Sequence, residues 1–120
     1  MERSSKWSTA NDPDTPPETL DQLSHDQDWM IRCAVAKNRN TPKEALKQLA
    51  KDPEWQVRNN VAINPHTPED TLENLTDDSD SVVRTNLGKN PHARLETVIK
   101  LAEEDRIWGV RKSAVESGRV

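Results

Sequence analysis

An aspartate and an arginine recur six residues apart at four places in this chain: Asp26 and Arg32, Asp52 and Arg58, Asp78 and Arg84, Asp105 and Arg111. Two kinds of chemistry suit that set. The guanidinium groups can form an electropositive ladder for phosphates or acidic side chains. Alternatively, each can hold an aspartate of its own or a neighbouring unit together with loop carbonyls, a task that matches five donors in a rigid fork. Strict recurrence favours the second, because architecture repeats and a specific site need not. Trp29, Trp55 and Trp108 precede three of these arginines by a fixed interval. Exposed, they would be stacking platforms for bases. Phe and Tyr are absent, so little else supplies large core area, and packing against the leucines of an adjacent helix is the expected role.

Other reactive residue types are sparse. Cys33 is the single cysteine, which excludes an intrachain disulfide and a cysteine-based metal cluster. His66 and His92 occupy equivalent loop positions one unit apart, and His25 stands alone. Stacked helices lie ~8–10 Å apart, whereas zinc needs nitrogen ligands at ~2.0–2.1 Å, so solvated loop histidines are expected. No nucleophile–base motif, glycine-rich phosphate loop or HExxH is present, and scattered carboxylates without a supporting pocket do not indicate catalysis. The expectation is a protein that is not an enzyme and carries no cofactor or metal.

The elements that must position these residues follow from the period. Trp29-Met30-Ile31-Arg32, Trp55-Gln56-Val57-Arg58, Ser81-Val82-Val83-Arg84 and Trp108-Gly109-Val110-Arg111 repeat one another, the arginines stepping by 26, 26 and 27 residues. Such a period marks an array of units too small to fold alone. Each unit opens on a helix start: Thr15-Pro16-Pro17-Glu18, Thr41-Pro42-Lys43-Glu44 and Thr67-Pro68-Glu69-Asp70. Threonine as cap, proline in the first turn and an acid reaching back are expected there. The fourth unit has Ala93-Arg94-Leu95-Glu96 instead. Leucine pairs at helical spacing follow (Leu20/Leu23, Leu46/Leu49, Leu72/Leu75, then Val98/Leu101), and then a second short helix with Ile31/Val35, Val57/Val61 and Val83/Leu87 facing inward. Asn38, Asn64 and Asn90 end it, where a left-handed exit is expected.

The fold expected is all-α, a solenoid of four two-helix units at 15–40, 41–66, 67–92 and 93–120, preceded by residues 1–14 as an N-terminal cap or partial repeat. Trp7 falls outside that register and is expected to cover the end. The pattern T-P-x-x-x-L-x-x-L, then D-x-x-W-x-V-R-x-x-V-A-x-N-P, resembles the leucine-rich repeat variant family and short HEAT-type repeats. The resemblance spans residues 10–118 and implies a right-handed superhelix with one helix layer convex and the other concave. A family member also carries a cysteine-ligated iron–sulfur cluster. One cysteine inside a repeat cannot supply it here.

Between units the framework is fixed while one stripe of the second helix varies: Met30, Cys33 and Lys37; Gln56, Asn59 and Ile63; Val82, Thr85 and Lys89; Gly109, Lys112 and Glu116. Variation means that the architecture does not dictate these residues. A mixed, moderately apolar surface suits a protein or an extended peptide. The leading expectation is therefore a protein-interaction scaffold, and the alternative is a nucleic-acid module using the Arg and Trp ladders. The net charge of −4 supplies no global field toward nucleic acid or anionic membrane. The acids of unit three lie mainly on its first helix and exit loop, which leaves the second-helix face neutral to basic. The N-terminus has no apolar stretch of signal-peptide length, and a cytoplasmic location is expected. Ile107, Trp108 and Val115 are apolar near the C-terminal end, where a partly exposed surface or pairing with a second copy is expected.

Overall fold

The computed structural model describes residues 1–120 as nine helices and no strands. They are α1 (Arg3–Asn11), α2 (Pro17–Leu23), α3 (Trp29–Lys37), α4 (Lys43–Leu49), α5 (Trp55–Ile63), α6 (Glu69–Glu73), α7 (Ser81–Lys89), α8 (Leu95–Glu104) and α9 (Trp108–Glu116). The odd-numbered helices pack in series, each on the next, and the even-numbered ones cover them on the other side. The result is an elongated body of 46 × 21 × 19 Å. None of its helices is long and apolar enough to cross a membrane.

One continuous core runs the length of the array. Leu20, Leu46, Leu72 and Val98 from the even helices meet Ile31, Val57, Val83 and Val110 from the odd ones, all fully or almost fully buried. Units cannot bury these residues alone, so stacking supplies the stability. Between odd helices the contact is made by small residues. Ala10, Ala36, Ala62 and Gly88 are buried at one repeat position, and a Cβ on Gly88 would lie 3.6 Å from the Ala114 backbone. This spacing places α1 in the array. It is the second helix of a preceding half-unit, with Ala10 standing where Ala36 and Ala62 stand.

Two local assignments made from sequence are corrected. Thr15, Thr41 and Thr67 do not cap the helices that follow them. Pro16, Pro42 and Pro68 occupy the cap positions, and no side chain bonds there. Each threonine hydroxyl instead donates backward, to the carbonyls of Thr9, Val35 and Val61 at 2.6, 2.5 and 2.8 Å. A buried hydroxyl beside the orphan carbonyls of a helix end meets a need there that the proline-led start does not offer. Nor do Asn38, Asn64 and Asn90 take a left-handed exit, for their φ values are −74, −66 and −75°. Their amides reach across to the previous unit. Asn64 Nδ2 donates to Ala36 O (2.9 Å) and Asn38 O (3.1 Å), while its Oδ1 accepts from His66 N–H (2.9 Å). Asn38 and Asn90 repeat the pattern. The only positive φ lies at Gly118, +79°, after α9, where Ser117 replaces the asparagine.

Candidate functional site

The Asp–Arg sets form a frame between units. Each aspartate sits in the loop before an odd helix, and its Oδ1 accepts the backbone N–H two residues on: Asp26 from Asp28, Asp52 from Glu54, Asp78 from Asp80, Asp105 from Ile107. Each arginine donates Nη1 to the carbonyl of its own unit's aspartate, at 2.8, 2.8, 2.6 and 2.6 Å for Arg32, Arg58, Arg84 and Arg111. The Nε and Nη2 edge of the first three then grips the next unit's carboxylate. Arg32 holds Asp52 at 2.7 and 3.2 Å, Arg58 holds Asp78 at 2.8 and 3.2 Å, and Arg84 holds Asp105 at 2.8 and 3.3 Å. Those carboxylates are only 6% exposed. Lys6 takes the arginine position for the half-unit and pairs with Asp26 at 2.8 Å. Arg111 makes the carbonyl bond alone.

Titration follows the geometry. The Lys6 hydrogen bond and the Asp28 N–H hold the Asp26 carboxyl below the usual aspartate range. Burial pushes Asp105 upward, but the Arg84 fork and the Ile107 N–H outweigh it and the net shift is downward. The Asp52 hydrogen bond raises Arg32 further, against the opposing effect of burial. With Arg32, Arg58 and Arg84 each gripping a carboxylate, those three rungs do not present free cations to a phosphate backbone, and Arg111 alone has no carboxylate partner.

The tryptophans are placed differently from expectation. Trp29, Trp55 and Trp108 are 39, 40 and 65% exposed, and Trp7 is 50% exposed. They do not fill the core. The small-residue contacts between odd helices leave no room for an indole, so the rings lie on the outer surface at the helix starts. Trp7 is also in register, 26 residues before Cys33, and belongs to the same outer stripe as Cys33, Asn59, Thr85 and Lys112. That spacing was the signal available in the sequence, hidden because the polar sequence of α1 does not look like a repeat.

The varied stripe lies along the outer face of the odd helices. Met30, Ile63 and Val82 are exposed apolar side chains. Lys89 and Lys112 are exposed, and Cys33, Gln56, Asn59 and Thr85 are half-buried. Several stripe residues also hold neighbours in place. Asn86 Nδ2 donates to Asn59 Oδ1 at 2.8 Å, Asn60 Nδ2 donates to Cys33 O at 2.9 Å, and Thr85 Oγ1 donates to Ser81 O within α7. Lys112 Nζ sits 5.1 Å from the Trp108 ring centroid. Gln56 Oε1 is buried with no partner. Burial raises the Cys33 thiol pKa, which lowers its thiolate fraction.

Charge divides by layer. Across α1, α3, α5, α7 and α9 the one acid is Glu116, while every helix carries at least one Lys or Arg. The even helices hold Glu18, Asp21, Glu44, Glu69, Asp70, Glu73, Glu96, Glu103 and Glu104 against Lys43, Lys47 and Lys100. At the far end Ile107, Trp108, Val115 and Val120 are exposed. His25, His66 and His92 are exposed in loops, and no group of three or more His, Cys, Asp or Glu is placed to hold a metal ion.

Comparison with known proteins agrees with this geometry. The family model described as leucine rich repeat variant matches residues 29–54, one full period from the start of α3 through α4 to the residue before α5. A solved structure described as "a leucine-rich repeat variant with a novel repetitive protein structural motif" superposes with a TM-score of 0.55 at 26% identity. The match covers 99% of this chain and 56% of that one, so this chain spans little more than half its length. No curated protein matches. With its period, its two-layer helix order and its buried leucine pairs, the chain is a helical-repeat array similar to the leucine-rich repeat variant proteins.

Proposed function

We propose that this array is a non-catalytic scaffold that binds another protein or a peptide on the outer face of the odd helices. The observation that carries the reading is the coincidence of exposed apolar side chains with the varied stripe. Met30, Ile63 and Val82 are exposed at stripe positions the repeat leaves free, and Trp29 and Trp55 are exposed beside them at a position the repeat keeps. Exposed apolar groups gathered on one surface and rimmed by polar residues are a mark of an interaction site, and aromatic residues and Met are enriched at such sites. The bracing role of Arg32, Arg58 and Arg84 weighs against a nucleic-acid reading, because a phosphate would have to displace a seated carboxylate.

The test uses the immobilised chain beside a variant carrying Met30→Glu, Ile63→Glu and Val82→Glu, all at exposed positions and therefore compatible with folding. A partner retained from a lysate of the source organism by the native chain and lost by the variant, with both melting alike, supports the reading. Equal retention by both overturns it. Retention of duplex or single-stranded oligonucleotide on a filter at low salt, falling by ~0.7–0.9 log units per log salt for each phosphate contacted, favours the nucleic-acid alternative.

A further inference from the structure

The stripe is not uniform, and its N-terminal part has a shape. Trp7 on α1 faces Trp29, Met30, Cys33 and Ala34 on α3 across a small pocket that Lys37 also lines. Its volume is about 150 Å³, comparable with apolar cavities that accept a benzene-sized group. One aliphatic or aromatic side chain fits there. Most of its lining is apolar, and Asn11, Asn60 and the one cation Lys37 supply the polar part. Lys37 makes no ion pair, and neither does Lys89 two odd helices further on. The layer between them contains no acid.

Resting on the reading of this face as a docking surface, we propose that its occupant is an extended acidic peptide. One apolar side chain enters the Trp7–Trp29 pocket, and carboxylates sit on Lys37 and Lys89. Adjacent helices stack ~8–10 Å apart, so the two ammonium groups are separated by roughly 16–20 Å across two helix steps. An extended chain advances ~3.3 Å per residue, which puts the two acids about five or six residues apart, the first of them close to the anchor. A nucleic acid fits less well: its charges come every few ångströms, and only these two lysines along the middle of the face are free to meet them.

The probe is a displayed library of random twelve-residue peptides panned against the full chain. The enriched sequences are expected to hold one large apolar residue within three positions of an Asp or Glu, with another acid five or six further on. A synthetic peptide of that sequence is expected to slow iodoacetamide alkylation of Cys33 at least tenfold. Lys37→Glu, at an exposed and unpaired position, is expected to weaken it at least tenfold, and a peptide with Lys in place of its first acid to recover part of the loss. Lys37→Ala checks the same step without charge reversal. Enriched peptides that lack acids, or that Lys37→Glu leaves unaffected while Ile63→Glu weakens them, overturn the acidic-peptide proposal and leave the docking face standing. Peptides affected by neither variant overturn both. A library that yields no binder, or a chain that retains oligonucleotide and no peptide, overturns the proposal.

Discussion

Replacing Arg58 by alanine removes four hydrogen bonds at the junction of two units. Two go to the Asp78 carboxylate, at 2.8 and 3.2 Å, and two go to the carbonyls of Asp52 and Pro53, at 2.8 and 3.3 Å. Asp78 is then left with the Asp80 N–H as its one remaining donor, on a side chain 6% exposed. Hydrogen bonds to charged groups contribute ~1.5–3 kcal/mol, and stranding a buried charge costs ~3–5 kcal/mol. The Arg58 side chain is itself 14% exposed, and water can enter the space it vacates, which lowers the cost. The expected loss is ~2–4 kcal/mol, read from urea melts at neutral pH. Because each unit contacts only its neighbours, part of the loss is expected as reduced cooperativity, with the two halves of the array melting over a broader range. Arg58→Lys keeps the charge and loses the fork, and is expected to fall between. An alanine variant within ~0.5 kcal/mol of the native chain would refute the reasoning, since that is the effect of an ordinary surface substitution.

Asn64→Ala removes two cross-unit bonds and the acceptor for His66 N–H, and is expected to cost ~2–3 kcal/mol by urea melt. Gly88→Ala is expected to stabilise by ~0.5–1 kcal/mol, because the new Cβ meets Leu101 and Ala114 at 3.5–3.6 Å, ordinary contact distance; a lower melting temperature would show that the helices cannot take the methyl. Asp26 and Asp105 have carboxyl pKa values lowered by folding. Their contribution is therefore present above the unfolded aspartate value and is lost as pH falls through the folded one. Urea midpoints from pH 7 to 3 are expected to drop on the acid side, and Asp105→Asn to flatten that limb.

The array was legible in the sequence because every unit must bury the same face. The leucine pairs and Ile31, Val57 and Val83 obey helical spacing and lie where that spacing puts them. The direction of side-chain bonds was less legible. Thr67 precedes a proline and an acid, which is the signature of a cap, and only the three-dimensional return of the chain brings its hydroxyl to Val61 O. Asn64 reads as a helix exit from local preference, whereas its partners lie 28 and 26 residues away. Trp29 and Trp55 were misleading for a related reason. Hydrophobic bulk argues for burial, but the alanine row that lets the helices approach closely leaves the indoles outside. The surface stripe could be found as variation between units. Its pocket could not, since it needs Trp7 and the register of a half-unit that the polar sequence of α1 conceals.

The claim that the odd-helix face is the docking surface is tested most directly by photo-crosslinking from the two layers. Benzoylphenylalanine is placed at Ile63 on α5 in one chain and at Asp70 on α6 in another, both exposed positions, and each is irradiated in a lysate of the source organism. A discrete adduct is expected from position 63 and none from position 70. An adduct from position 70 with none from position 63 would contradict it.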